Sequence, residues 1–216
     1  AGGIITINWS TYIWAVNANK VIETSIGYYI QPLMVVLFGI IIFHERLTKY
    51  KLIAICLACL SVSLILLHFG KFPLIALMLA LSFSTYSVIK KKLKQPAFIS
   101  LIYETAFYAP FALIIIIYLE IKGMGAMAVM TGPFQFVLLL LSGLMTVVPL
   151  GLFAAANIRI PLVTVGVTQY ISPTIQLVLG ILAFGEPFDR FQFIAFLIIW
   201  IGLVFFTIGE FKENNS

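Results

Sequence analysis

Charged residues punctuate this chain at intervals, and between them run long stretches almost free of charge. Because a charged group at the centre of a bilayer costs several kcal/mol, such stretches mark what can be buried in lipid. Eight result, at 3–19, 25–43, 52–69, 72–89, 98–119, 133–158, 163–184 and 191–208. Each approaches or exceeds the roughly 20 residues that carry a helix across the hydrocarbon layer. Their apolar positions do not alternate as in a barrel strand, so the pattern predicts an all-α integral membrane fold of eight transmembrane helices. Short polar or Gly/Pro punctuators separate them, such as Glu45-Arg46-Leu47-Thr48-Lys49 and Gly70-Lys71 with Pro73. No room remains for an extramembrane domain, so function sits inside the bundle.

Composition sharpens this. The 216 residues are 62% apolar and 10% charged, with a mean hydropathy of +1.12. A soluble domain carries about 25% charged residues, so soluble enzyme folds are excluded. Cys56 and Cys59 are too close on one helix for a disulfide framework and read as small-residue packing. Of the cations, Arg46, Lys49, Lys51, Lys90, Lys91, Lys92, Lys94, Arg159 and Lys212 fall on one side of the predicted topology. Only Lys20, Lys71, Lys122 and Arg190 fall on the other. Positive residues are held in the cytoplasm, so the C-terminus is expected there, with Lys90 to Lys94 as a basic juxtamembrane loop and no nucleic-acid surface.

Sliding the sequence on itself by 141 positions aligns Tyr29-Ile30-Gln31-Pro32 with Tyr170-Ile171-Ser172-Pro173. The same offset pairs Gly39-Ile40 with Gly180-Ile181, Phe43 with Phe184, Glu45 with Glu186 and Ile53-Ala54 with Ile194-Ala195. Apolar bias does not hold a Pro, a Gly and a Glu in register, so the chain reads as duplicated. Five crossings separate the matched spans, and an odd number reverses direction, which makes this an inverted-topology repeat of the kind found in transporters. The division falls at 1–70, three helices of a first repeat, and 71–216, five helices of a second. The first copy's counterpart to residue 71 would lie about 70 residues before Ala1, so the chain is expected to be part of a ten-helix protein lacking its first two helices.

Several stretches resemble the EamA-domain transporters of the drug/metabolite transporter superfamily, and within them the RarD-like permeases. They are Asn8-Trp9 with Tyr12-Ile13-Trp14-Ala15-Val16-Asn17; Glu23-x-Ser25-Ile26-Gly27-Tyr28 leading to Pro32-Leu33; Glu45-Arg46; and Tyr86-x-x-x-Lys90-Lys91-Lys92. Glu104-Thr105, Thr146-x-Val148-Pro149-Leu150, Gln169-Tyr170-Ile171-x-Pro173-Thr174 and Gly185-Glu186 extend the likeness over the whole chain. The resemblance implies a ten-helix permease of the bacterial inner membrane, linked by name to chloramphenicol sensitivity.

Candidate chemistry lies at depth. Glu104, about six residues into the fifth span, reads as a proton-coupling carboxylate or as a boundary residue paired with a nearby lysine. On the first reading, Glu104→Gln would leave stability unchanged. In the seventh span Thr168, Ser172 and Gln176 share one helical face, with Gln169 beside them. With Gln31, the repeat partner of Ser172, and with Asn8 and Tyr12 on the first span, they are candidates to line a substrate cavity; interhelical hydrogen bonds are the plain alternative. Pro32, Pro149 and Pro173 are candidate hinges, since a mid-helix proline removes a backbone donor. Glu45 and Glu186 read as carboxylates that cap the next helix.

Motif matches at Asn8-Trp9-Ser10, His44-Glu45 and Gly123-x-Gly125 fail on context, and no nucleotide loop, metal site or cofactor is expected. The sequence therefore predicts a secondary transporter moving a small organic solute. A membrane-embedded enzyme or a channel is the alternative. Expected partners are the lipid bilayer, the solute and a coupling proton; a homodimer is compatible with the sequence.

Overall fold

The computed structural model describes residues 1–18, 20–70, 72–125, 132–175, 178 and 190–214. Among them every regular element is helical. The helices are α1 (Gly2–Asn17), α2 (Val21–Phe43), α3 (Lys49–Phe69), α4 (Leu74–Leu93), α5 (Ala97–Ile121), α6 (Pro133–Arg159), α7 (Leu162–Thr168) and α8 (Arg190–Asn214). By length and composition α2 from Glu23 onward, α3, α4, α5 and α6 can each cross a bilayer; α8 carries a shorter apolar run, Phe193–Gly209.

The punctuators act as expected. Thr48 accepts a hydrogen bond from the Lys51 amide and starts α3. At the other end Gly70 takes the left-handed conformation, φ 67°, that a glycine adopts without a Cβ clash, and its amide closes on the Leu66 carbonyl. The predicted seventh span behaves differently. It begins at Leu162 but turns at Gln169 and Tyr170, and residues 171–175 are helical again. Pro173 has no amide hydrogen, and its ring crowds the carbonyl four residues back, that of Gln169. That carbonyl instead accepts from the Ser172 amide at 3.1 Å, a tightened turn. Pro32, by contrast, lies within the unbroken α2.

Two compact units are present, and neither coincides with a half of the duplicated sequence. One comprises Ala1–Gly3 and Lys90–Arg159, the other Ile4–Ile89 and Ile160–Ser216. In the second, Val36, Ala54, Ile55, Val163, Val167 and Phe206 form a buried cluster to which α2, α3, α7 and α8 all contribute. In the first, α5 packs on α6 at Gly151, where a Cβ would stand 2.5 Å from the Phe98 ring. Most side chains of α5 and α6 are exposed and apolar, as suits contact with lipid.

The packing of the second unit is reciprocal under the 141-residue offset. Ser61 on α3 donates a 2.8 Å hydrogen bond to the Ala195 carbonyl on α8. The offset converts that pair into Ala54 and Gly202, and a Cβ on Gly202 would lie 3.3 Å from the Ala54 carbonyl oxygen. Likewise a Cβ on Gly209 would stand 2.8 Å from Tyr50 Cβ, while the related pair His68 and Phe191 stacks with ring centroids 4.5 Å apart. The equivalents Tyr29 and Tyr170 touch each other, the Tyr170 hydroxyl donating to the Tyr29 carbonyl at 3.2 Å.

Candidate functional site

Two of the polar residues predicted to share a cavity, Gln31 and Gln169, meet where α2 crosses α7. The two helices run antiparallel there: Gly39 approaches Leu162 and Val163, Val36 and Pro32 approach Gly166, and Gln31 reaches Gln169. A Cβ on Gly166 would come within 2.6 Å of Val36 Cγ2 and 2.7 Å of the Pro32 carbonyl oxygen, so only a bare backbone permits this approach. At the end of the crossing Gln31 Nε2 donates to Gln169 Oε1 at 3.0 Å. Gln169 Nε2 is buried with no hydrogen-bond partner among the described residues. A buried amide donor left unmatched costs about 1–3 kcal/mol, so it marks a place where an acceptor from a solute or water would be favourable.

Other predicted lining residues separate from this pair. Ser172 is exposed, and the turn at 169–170 breaks the continuous helical face that Thr168, Ser172 and Gln176 require. The Thr168 hydroxyl is spent on its own helix, donating to the Thr164 and Val165 carbonyls. Ser63, Ser82, Ser84, Thr105, Thr146 and Thr207 do the same with the carbonyl four residues back, a local way to satisfy a hydroxyl in lipid. Gln176 and Glu186 lie outside the described residues. Asn8 donates to the Leu79 carbonyl at 2.9 Å and to Ser82 Oγ at 2.8 Å, so its amide ties α1 to α4. Tyr12 meets Tyr28 edge-on, ring centroids 5.9 Å apart. Pro32 and Pro173 are buried, whereas Pro149 is exposed.

Glu104 resolves into a three-residue arrangement. Lys90 Nζ lies 2.7 Å from Glu104 Oε1 and 2.7 Å from Ser100 Oγ, and Ser100 donates to the same carboxylate oxygen at 3.0 Å. The Lys90 side chain is 1% exposed and that of Glu104 13%. Glu104 Oε2 is buried without a hydrogen-bond partner among the described residues. A cavity of about 280 Å³ adjoins Ser100 and Glu104, walled also by Leu93, Gln95, Ile99 and Tyr103. The expectation that Glu104→Gln would not lower stability is thereby corrected: it would strand a buried lysine. Lys90 was placed in a basic loop by the sequence; its signal lay in helical phase, four residues after Tyr86 and three after Ser87, both fully buried.

Glu45 also differs from expectation. It caps a helix, but not the next one. Its two oxygens accept from the amides of Leu162 and Val163, each at 2.8 Å, and so start α7, whose preceding residue Pro161 offers no side-chain cap.

Comparison with known proteins fits this picture. Residues 3–67 match the model of the EamA-like transporter family. The chain is 40% identical over 99% of its length to the uncharacterized transporter YojE of Bacillus subtilis, covering 70% of that protein. The chain belongs to the EamA-like transporter family. It is 38% identical over 96% of its length to Protein RarD of Streptomyces exfoliatus and 36% over 93% to Protein RarD of Escherichia coli. It spans 65% and 68% of those two relatives. This EamA-like chain is accordingly a multi-pass membrane protein, with five helices among the described residues long and apolar enough to cross a bilayer.

Proposed function

We propose that this EamA-like protein is a secondary transporter of the bacterial inner membrane, with its C-terminus cytoplasmic. It moves a small polar organic solute past the α2–α7 crossing by alternating exposure, driven by an ion gradient. The observation that carries the reading is the part-buried amide pair Gln31–Gln169, set between sequence-related segments, with the Gln169 Nε2 donor buried and unspent among the described residues. Hydrocarbon is a poor neighbour for two amides, whereas a solute carboxylate or carbonyl would match the Gln169 donor. The reciprocal contacts of α3 with α8 and of Tyr29 with Tyr170 support two repeats related by a twofold axis in the membrane plane, within a ten-helix whole.

Glu104 is the proposed coupling carboxylate. One oxygen is committed to Lys90 and Ser100, and the other is unpartnered beside a cavity, where a proton or cation could be received and released. The test is flux in vesicles holding the protein, against amino acids and chloramphenicol, with and without an imposed pH gradient. Gradient-dependent accumulation that is lost in the paired variant Lys90→Met/Glu104→Gln is the expected result. Accumulation still driven by the pH gradient in that variant would remove Glu104 from coupling.

A further inference from the structure

We propose that Glu45 is a latch whose release from α7 opens the α2–α7 crossing on that face of the membrane. This rests on the transport reading above. The following helix α3 is capped by Thr48, whereas the Glu45 carboxylate reaches a different helix. It is committed instead to an element 117 residues away, through two hydrogen bonds of 2.8 Å to adjacent backbone amides. Both are charge-assisted and aligned with the positive end of the helix, the strong class of such bonds.

The surroundings are built for this contact. Pro161 has no amide hydrogen, so the first donors of α7 are those of Leu162 and Val163, which the carboxylate takes together. Gly39 clears the space: a Cβ there would stand 2.9 Å from Glu45 Oε2, 3.0 Å from Leu162 Cβ and 3.1 Å from the Val163 nitrogen. From the latch the crossing runs through the Gly166–Pro32 approach to Gln31–Gln169. Latch and amide pair thus occupy opposite ends of one short, stiff helix about 10 Å long at 1.5 Å per residue. With the Glu45 end held, α7 is fixed against α2 and Val36 is sealed; with it released, the contact can part and water can reach the crossing.

The experiment uses the protein in membrane vesicles with Cys56 and Cys59 replaced by alanine and a reporter cysteine at the buried Val36. The rate of its modification by a membrane-impermeant thiol reagent is measured beside the thermal midpoint and solute flux. Glu45→Gln keeps one acceptor and turns an NH2 group toward a backbone donor; it should speed modification about tenfold or more, the factor that follows from losing one such bond. Glu45→Ala should do so at least as strongly, and both should alter flux. Unchanged modification with a lowered thermal midpoint would overturn the latch and leave a structural cap. Absence of flux in the parent protein would instead overturn the transport reading, with the modification rates still deciding the latch.

Discussion

The Lys90–Glu104 pair shows how one side chain redefines another. Breaking a buried pair by removing one partner costs about 3–5 kcal/mol, because a charge is left without compensation. Glu104→Gln alone should therefore lower thermal stability by an amount of that order, and Lys90→Met/Glu104→Gln should recover most of it. Thermal denaturation of the two variants in detergent checks this; a single variant as stable as the parent would mean that the pair contributes nothing. The sequence marked Glu104 because a lone carboxylate in an apolar run is conspicuous. Lys90 was hidden among Lys91, Lys92 and Lys94, and only its phase on α4, with buried Tyr86 and Ser87 one turn earlier, distinguishes it. Glu45 was legible as a cap but not as the cap of α7, since nothing local points to a partner 117 residues away.

At the scale of elements, small residues set where helices meet. Gly166→Val would push a branched side chain into Pro32 and Val36, and overpacking of this kind costs about 1–3 kcal/mol. Gly143 on α6 has open space around its Cβ position, so Gly143→Ala should be neutral or stabilising by up to about 1 kcal/mol through helix propensity. Thermal midpoints of the two variants give the contrast, and equal effects would contradict the close crossing. Most helix positions were readable because charge is expensive in lipid, and the observed helix starts lie within four residues of those predicted. The exception is the break before Pro173. The proline was visible, yet whether a helix continues through it, as at Pro32, or turns before it, as at Gln169, is not written in the local sequence.

For the whole molecule, the uneven distribution of positive residues predicts sidedness. Cysteines introduced at Lys92 or Lys212 should react only from the cytoplasm, and one at Lys122 only from outside. Labelling of the Lys92 site from outside intact cells would invert the orientation. The duplication was legible in nine identities over the 26 positions from Tyr29 to Ala54. What the sequence pattern could not convey is that α2 packs with α7 and α3 with α8, so that the larger compact unit draws on both ends of the chain.

The claim that joins these scales is that the amide pair lies on a solute path. Solute flux in reconstituted vesicles, measured for the parent protein and for Gln169→Leu alongside their thermal midpoints, tests it most directly. Loss of flux is predicted with a change in stability no larger than the roughly 1 kcal/mol of a single interhelical hydrogen bond. Flux equal to the parent's, with stability alone reduced, would contradict it.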